Sequence, residues 1–368
     1  MKRIMLIAAS VTIVLSILTM LTLKQSKFGR LPSGKRLERI KRSPNYKNGS
    51  FQNLSETPVM AEDASYLTIG KEFFFGVKKS VYPTNEIPSV KPDLLHMDSN
   101  ADQLIWFGHS SYFIQIDGKR ILVDPVLSGN ASPFSFSIKA FKGTTVYTPA
   151  DIPDIDYLFI SHDHWDHLDY ETIMELKPKI KKVICGLGVG ENFEYWGFDK
   201  DSIIELDWNE QAILDNGFIV NAVPARHFSG RGLKRNQTLW VSFVLQTPTM
   251  NFYLGGDGGY DKHFAEIGEK YGPFDLAILE NGQYNKQWKY IHLLPEDLLK
   301  AFDDLNARRL LAVHSSKFAL ANHAWDEPLI KIASSSKKRN IKLLTPMIGD
   351  PVNLKDSTQI FTEWWKIN

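Results

Sequence analysis

One short run, HDHWDHLD at residues 162–169, carries the residues with the clearest chemical potential. Its four potential metal ligands are His162, His164, Asp166 and His167, which directly follow the apolar segment YLFIS. His162 and His164 are two residues apart, so on extended backbone both side chains can point the same way. Asp166 and His167 are adjacent, so their side chains are expected to point in other directions, which suits the binding of a second metal ion. Because the chain has only 10 histidines in 368 residues, this order is not expected by chance and predicts a metal site.

Further ligands are expected at the ends of other predicted strands. His227 follows the segment FIVNAVPA, Asp257 follows FYLGG, and His314 ends RLLAVH. A single histidine at a strand end is more often a capping or surface residue. Three such polar residues at successive strand ends favour a shared site. The glycines around Asp257, in LGGDGGY, allow backbone and metal to approach closely.

The elements that must position these residues are short strands in two batches, with helices between and after them. Asp117-Gly118 is a hairpin-turn signal between two of the strands. This order predicts an α/β fold in which two sheets pack face to face with helices outside. The predicted strands span residues 104–108, 112–116, 121–124, 157–161, 182–185, 218–225, 240–246, 252–256, 275–280 and 309–314, and the predicted helices span 169–177, 261–272 and 295–305.

Together, the HxHxDH run, a later histidine, an aspartate after Gly-Gly and a final histidine resemble the metallo-β-lactamase superfamily. The similarity is closer still to the N-acyl-phosphatidylethanolamine phospholipase D family and its bacterial relatives, and covers about residues 70–335. It implies the metallo-β-lactamase αββα sandwich, with two mixed sheets, over residues 98–368. The segments that carry it are residues 106–133, 161–169, 223–232, 254–260, 264–284 and 312–328, in which PARH, GPFDLA and FALAN point to the phospholipase branch.

The resemblance also implies a pair of zinc ions held by side chains, although iron and manganese accept similar sites. One ion would be held by His162, His164 and His227, the other by Asp166, His167 and His314, and Asp257 would bridge the two. A hydroxide shared by the two cations would then attack phosphorus in a phosphodiester. Asp166 could also orient that hydroxide.

His292, in KYIHLLPED, matches a family position close to the substrate phosphate. The resemblance implies that it contacts substrate or donates a proton, whereas on sequence alone it is an ordinary histidine before a helix. The chain departs from the family at Glu280 and Asn281, where an apolar residue or proline is usual. Either the pocket is more polar here or Glu280 only hydrogen-bonds the loop.

The remaining histidines and the cysteine have plainer interpretations. His109 and Asp124 are expected to support the ligands rather than to bind metal, since metal-bound imidazoles need hydrogen-bond partners. Cys185 ends a predicted buried strand and is expected in the core. Surface positions are expected for His96, His263 and His323.

Composition limits the alternatives. A hydrophobic content of 43% and a charged content of 23% are ordinary for a globular protein. The formal net charge of +1 argues against a dedicated nucleic-acid binder, so no nucleic acid is expected as a partner. With one cysteine, the chain can form no intrachain disulfide and no cysteine-rich zinc site.

The N-terminal segment predicts a membrane helix. Residues 4–23 carry no charge and match the ~20 residues that a spanning helix needs. The chain is interpreted as an uncleaved anchor over 1–23, a basic linker and lead-in over 24–97, and a hydrolase domain over 98–368. A cleaved signal peptide is the alternative for the first segment. The aromatic run 73–75 is expected to pack on the main domain.

The sequence allows two interpretations of the side of the membrane on which the domain lies. Basic residues that follow the span outnumber those that precede it, so the positive-inside rule favours the cytoplasmic face. A signal-anchor interpretation would export the protein instead. The basic residues could attract anionic headgroups or form a solvated flank. They are Lys24, Lys27, Arg30, Lys35, Arg36, Arg39, Lys41 and Arg42.

The leading functional hypothesis is a dinuclear zinc hydrolase, a phosphodiesterase of phospholipase D type acting on N-acyl-phosphatidylethanolamine or a related phospholipid. A lactonase, nuclease or β-lactam hydrolase could use the same hydroxide. A redox di-iron protein is less well supported, because the chain has no room for a flavin domain. The non-enzymatic alternative is a membrane-anchored scaffold that retains metal for stability.

Overall fold

The structure is a computed structural model that describes residues 2–62, 64–65, 67, 70–71 and 80–366. The aromatic run 73–75, expected to pack on the main domain, lies outside the described residues. The chain begins with helix α1 (Lys2–Leu23), helix α2 (Gly34–Arg42) and a hairpin of β1 (Tyr46–Lys47) and β2 (Ser50–Phe51).

The main body consists of fourteen further strands and five helices among the described residues. The strands are β3 (Gln103–Trp106), β4 (Tyr112–Ile116), β5 (Lys119–Val123), β6 (Ile155–Ile160), β7 (Ile180–Gly186), β8 (Ile203–Leu206), β9 (Gln211–Ile213), β10 (Ile219–Val223), β11 (Ser242–Gln246), β12 (Asn251–Leu254), β13 (Leu276–Glu280), β14 (Leu310–Val313), β15 (Leu343–Leu344) and β16 (Pro351–Asn353). The helices are α3 (Tyr170–Leu176), α4 (Gly190–Tyr195), α5 (His263–Tyr271), α6 (Pro295–Asp304) and α7 (Glu327–Arg339).

These strands form two mixed sheets of seven. The first has the order β16-β3-β4-β5-β6-β7-β8 and the second β15-β14-β13-β12-β11-β10-β9. In each sheet a meander of antiparallel strands passes into parallel strands, at β5–β6 in the first and at β12–β13 in the second. Helices α3 and α4 follow β6 and β7, and helices α5 and α6 follow β12 and β13, as parallel connections require.

Alternating side chains place the main core between the two sheets. Trp106 and Phe159 of the first sheet share one buried cluster with Phe243 and Phe252 of the second. The rings of Phe159 and Phe243 pack edge to face, 5.1 Å between centroids. Burial of each such side chain contributes roughly 1.5–3 kcal/mol. The outer faces are buried under helices, for example around Ile173 of α3. The αββα sandwich predicted from sequence is therefore confirmed.

Most predicted elements are present, within a few residues at their ends. The turn at Asp117-Gly118 joins β4 to β5 with both residues at positive φ, 48° and 72°. The sequence did not reveal the short strands β8, β9, β15 and β16, because pairing with neighbours rather than a local pattern defines them. Cys185 is fully buried in the core, as expected.

Of the three histidines assigned to the surface, His263 is buried and His323 is half-buried. His263 is 3% exposed because it starts α5 with its ring against Phe264, and burial lowers its pKa to about 4. His323 is half-buried, and its Nε2 accepts a hydrogen bond from the backbone N–H of Gln283 at 2.8 Å. The prediction was wrong for both, since neither neighbour could be read from the local sequence. His96 is exposed.

Helix α1 is the one helix among the described residues that is long and apolar enough to cross a bilayer. It has 22 residues, and its span from Arg3 to Leu23 has a mean hydropathy of 2.6 with none of it buried. A signal sequence has the same properties. The structure is thus compatible with both an anchor and a signal.

The basic segment after α1 packs against the body through ion pairs. Arg36 of α2 contacts three carboxylates, those of Glu191, Glu194 and Glu205, at 2.7, 3.0 and 2.7 Å. Arg39 contacts Glu210 at 2.6 Å. For Arg36 and Arg39 the interpretation as a solvated flank is therefore wrong, because acidic side chains on α4, on β8 and in the turn after β8 pair with them. Lys24, Lys35 and Arg42 are exposed.

Arg36→Ala tests this docking. The substitution leaves the buried Glu191 and Glu205 short of a counter-charge, so we expect the free energy of unfolding to fall by about 2 kcal/mol. Lys35→Ala, at an exposed position of the same helix, is the control and should change it by less than about 0.5 kcal/mol. Thermal unfolding of the full chain in detergent measures both. Equal midpoints for the two variants would contradict the docking.

Candidate metal centre

The predicted ligands converge because several strands end at the same edge of the sandwich. The loop with His162 leaves the carboxyl end of β6, and Asp257 follows β12 after two glycines. His314 comes directly after β14, and His227 lies four residues beyond β10. Strands β10, β12 and β14 run in one direction in the second sheet, so their ends meet.

Three imidazoles form the first group. Nδ1 of His164 lies 2.9 Å from Nε2 of His162 and 3.3 Å from Nε2 of His227. One nitrogen from each ring lies within 4.8 Å of the other two. Such a triangle of nitrogens surrounds a point that a cation could occupy.

The second group combines a carboxylate with two imidazoles. Asp166, His167 and His314 each offer an atom within 4.8 Å of the others, together with His109. The Oδ2 of Asp166 is 3.5 Å from Nε2 of His167 and 2.9 Å from Nε2 of His109. This group sits beside the first, because His162 of the first group and His167 of the second lie in one further cluster with Asp257.

Asp257 lies between the two groups. Its Oδ2 is 3.2 Å from Nε2 of His167 and 3.9 Å from Nε2 of His227. Its Oδ1 is 3.2 Å from Nδ1 of His314. The carboxylate therefore reaches members of both groups, which is the position that a bridging ligand needs.

Unpaired buried atoms show that the residues fit a metal. Nε2 of His314 and Oδ1 of Asp257 are buried without a hydrogen-bond partner among the described residues. Each such atom costs roughly 1–3 kcal/mol unless something binds it. Nitrogen and carboxylate oxygen are donors that zinc accepts in tetrahedral sites. Cations bound in this cluster would give such atoms a partner.

The charge of the cluster also favours a cation. Burial lowers the pKa of His162 and His227 well below the ordinary value, so both rings are neutral and able to ligate. Burial opposes the ionisation of Asp257, but the His167 and His314 imidazoles hold its pKa well below the usual range. The cluster thus combines the neutral imidazoles of His162 and His227 with the ionised carboxylate of Asp257. Burial opposes the protonation of His167, but the Asp257 and Asp166 carboxylates outweigh it and raise the pKa of that ring.

A shell of hydrogen bonds orients the ligands. Asp124 accepts from Nδ1 of His167 at 2.8 Å and from the hydroxyl of Ser161 at 2.6 Å. The carbonyl of Ile291 accepts from Nδ1 of His227 at 2.8 Å. These contacts leave Nε2 of His167 and His227 facing the site. His109 and Asp124 are placed where supporting residues are expected.

A cavity of about 340 Å³ opens onto this cluster. His164, Asp166, Asp257 and His292 are among the residues that line it. Most of its remaining wall is apolar. The apolar lining residues are Val59, Met60, Phe228, Trp288, Ile291 and Leu320. Val59 and Met60 come from the segment before the domain, and no sequence signal connected them to the site.

Glu280 and Asn281, the two residues that depart from the family pattern, make different hydrogen bonds. Glu280, at the end of β13, bonds through Oε2 to Nδ1 of His292 at 2.6 Å. Burial lowers the pKa of His292, but the Glu280 carboxylate outweighs it and raises the pKa to about 9. Asn281 turns away and donates to the carbonyl of Pro328 at 3.1 Å. Only Glu280 therefore affects the site.

Comparison with known proteins shows which family the chain belongs to. The sequence profile of the beta-lactamase superfamily domain matches residues 119–315. An uncharacterized protein of Mycobacterium tuberculosis is 36% identical over 329 residues, covering 88% of this chain and 88% of that protein. The N-acyl-phosphatidylethanolamine-hydrolyzing phospholipase D 1 of Caenorhabditis elegans is 32% identical over 255 residues, covering 64% of this chain and 70% of that protein.

Among solved structures, the metallo hydrolase Igni18 of Ignicoccus hospitalis shares the fold, with a TM-score of 0.51 and 22% identity over 69% of this chain and 98% of that one. Fold and site thus define a metal-dependent hydrolase. The chain belongs to the beta-lactamase superfamily, as a relative of the phospholipases D that hydrolyse N-acyl-phosphatidylethanolamine. The resemblance and the enzyme class predicted from sequence are confirmed.

Removal of Asp257 tests the shared position of its carboxylate. We expect Asp257→Ala to lose most of the bound metal, since the carboxylate reaches both groups. His96→Ala, at an exposed position, is the control and should keep the metal content of the parent. Elemental analysis of the purified full chain measures the metal per protein. A full complement in a folded Asp257→Ala variant would contradict the assignment.

Asp124→Asn tests the supporting hydrogen bonds. The amide removes the negative charge that orients His167, so metal affinity should fall about 10–100-fold. Competition against a chelator gives the affinity, and circular dichroism checks that the fold is intact. An unchanged affinity would show that Asp124 serves only the packing of the loop.

Proposed function

We propose that the protein is a dinuclear zinc phosphodiesterase of phospholipase D type, acting on N-acyl-phosphatidylethanolamine or a related phospholipid. The observation that carries this proposal is a cavity whose wall combines apolar side chains with residues of the histidine–carboxylate cluster. Lipid chains suit apolar walls, and a phosphodiester suits a pair of cations. The activity named for the Caenorhabditis elegans relative supports the same substrate class.

The ligand assignment follows the grouping of the side chains. His162, His164 and His227 would hold one zinc, and Asp166, His167 and His314 the other, with Asp257 between them. When bound, zinc supplies Lewis acidity and makes hydroxide available from water near neutral pH. No serine or cysteine nucleophile is needed.

The chain's own residues would bind, orient and transfer protons. Asp166 reaches the cavity and would orient the attacking water. His292 also reaches the cavity and would donate its proton to the leaving alcohol. Phe228 and Trp288 would contact the acyl chains and keep bulk water from the reacting phosphate.

Helix α1 would hold the enzyme at the bilayer where its substrate resides. Its exposed apolar side chains suit a lipid environment. The excess of basic residues after α1 favours the cytoplasmic face for the domain.

A substrate screen of the zinc-loaded full chain in detergent tests the proposal. N-acyl-phosphatidylethanolamine should yield N-acylethanolamine and phosphatidic acid, detected by mass spectrometry. A lactone, a β-lactam and DNA should remain intact under the same conditions. Hydrolysis of one of these three with the phospholipid untouched would replace the proposed function by that activity.

A variant of the cavity wall tests the role of the apolar lining. Leu320→Glu places a charge in the path of the acyl chains, so we expect KM for the phospholipid to rise about tenfold or more, while bis(4-nitrophenyl) phosphate is hydrolysed at nearly the parent rate. The control is Leu233→Glu, at a position that is 83% exposed and outside this cavity. Equal effects of Leu320→Glu on both substrates would contradict a lipid-binding wall.

A further inference from the structure

The carboxylate of Glu280 connects two stretches of backbone at the cavity. Its Oε1 accepts from the N–H of Gly258 at 3.0 Å and from the N–H of Leu293 at 2.8 Å. Gly258 follows Asp257, and Leu293 follows His292. Glu280 is 2% exposed, so these contacts are shielded from water. It lies where the chain departs from the pattern of the family that it resembles.

Because two backbone N–H groups hold Oε1, the second carboxylate oxygen, Oε2, is directed toward His292. Oε2 of Glu280 remains as the acceptor for Nδ1 of His292, 2.6 Å away. The carboxylate of Glu280 is thus held by three nitrogens, the two backbone amides and Nδ1 of His292. Nδ1 of His292 therefore contacts a carboxylate whose other oxygen is held in place by two backbone N–H groups.

The His292 ring is held on its other sides by candidate ligands. It stacks on the ring of His314, with 5.3 Å between the ring centroids and 20° between the ring planes. Its centroid lies 5.2 Å from the ring centroid of His227. Its Nε2 makes no hydrogen bond with any described residue, and the side chain lines the cavity. Because the two ring nitrogens lie on opposite edges, fixing Nδ1 on Glu280 leaves Nε2 for a bound substrate.

We propose that Glu280 is a positioning residue that holds His292 with Nδ1–H on the carboxylate and Nε2–H facing the substrate. The inference rests on the proposed phosphodiesterase function. As water oxygen bonds to phosphorus and the bond from phosphorus to the leaving oxygen breaks, the Nε2 proton passes to that oxygen. The proton released by the attacking water restores the imidazolium, so water is divided between the two products. Glu280 keeps the His292 ring in the same orientation throughout this step.

Glu280→Gln separates this role from simple packing. The amide oxygen is required by the two backbone N–H groups, so the NH₂ group faces Nδ1 of His292. Nδ1 must then accept, and the ring becomes neutral with its proton on Nε2. A neutral imidazole is a far weaker acid, so the size and shape of the side chain are kept while proton donation is lost.

Two substrates with the same diacylglycerol part provide the kinetic readout. For N-acyl-phosphatidylethanolamine, whose leaving alkoxide needs a proton, Glu280→Gln should lower kcat about 100-fold with little change in KM. For the matching 4-nitrophenyl ester, whose leaving group needs none, the loss should stay below about threefold. Equal losses on both substrates, with metal content unchanged, would overturn the proposal in favour of a structural role.

A double variant and a matched control complete the kinetic test. If Glu280 acts through His292, adding Glu280→Gln to His292→Ala should cause no further loss. If the loss of activity in the double variant equals the product of the losses in the two single variants, the inference is overturned. Glu205→Gln is the control, because Glu205 also accepts two backbone N–H groups, those of Gly188 and Gly190, but lies away from the cavity. It should retain the parent activity.

A direct readout of the ring does not depend on the substrate. In the zinc-loaded full chain labelled with ¹⁵N-histidine, the His292 signals, assigned by their loss in His292→Ala, should show a proton on Nδ1. In Glu280→Gln they should show Nδ1 without a proton. The same tautomer in both proteins would overturn the positioning role. Failure to hydrolyse any phosphodiester, with the expected tautomers observed, would overturn the proposed function alone.

Discussion

The structure depends on burying a concentrated set of imidazoles and carboxylates at one edge of a sandwich. His162, His167 and His314 are each at most 1% exposed, and Asp257 is 4% exposed. Desolvation of such groups is costly unless opposite charges or a cation compensate it. The body of the fold supplies part of that compensation through fixed hydrogen bonds, and the unpaired atoms of His314 and Asp257 leave the remainder to a metal. Fold stability and the capacity for chemistry are therefore coupled at this edge.

Loops and apolar side chains from several parts of the chain surround the cluster. The ends of β6, β12 and β14, which have parallel neighbours, are followed by most of the ligands, whereas His227 follows β10 in the antiparallel part of the second sheet. Apolar side chains from distant segments, such as Met60 and Leu320, close the cavity around them. The N-terminal segment reaches the body by a separate set of contacts, the ion pairs of Arg36, so the first part of the chain is fixed to the domain at more than one place.

Sequence alone predicted the parts that depend on local pattern. The run from His162 to His167 and the glycines around Asp257 can each be recognised from a few consecutive residues. The strand periodicity predicted both sheets. The burial of His263 and His323 could not be predicted, because it depends on packing partners that the local sequence does not identify. The contact of Glu280 with His292 joins residues 12 apart through a strand end and a loop. The composition of the cavity wall required the fold itself.

The central claim is that seven side chains from four stretches surround two cations. Anomalous X-ray diffraction at the zinc edge, on crystals of the purified protein, tests it most directly. The account predicts two peaks about 3.5–4 Å apart, one among His162, His164 and His227 and one beside His314, with the Asp257 carboxylate between them. A single peak, or peaks away from these side chains, would contradict it.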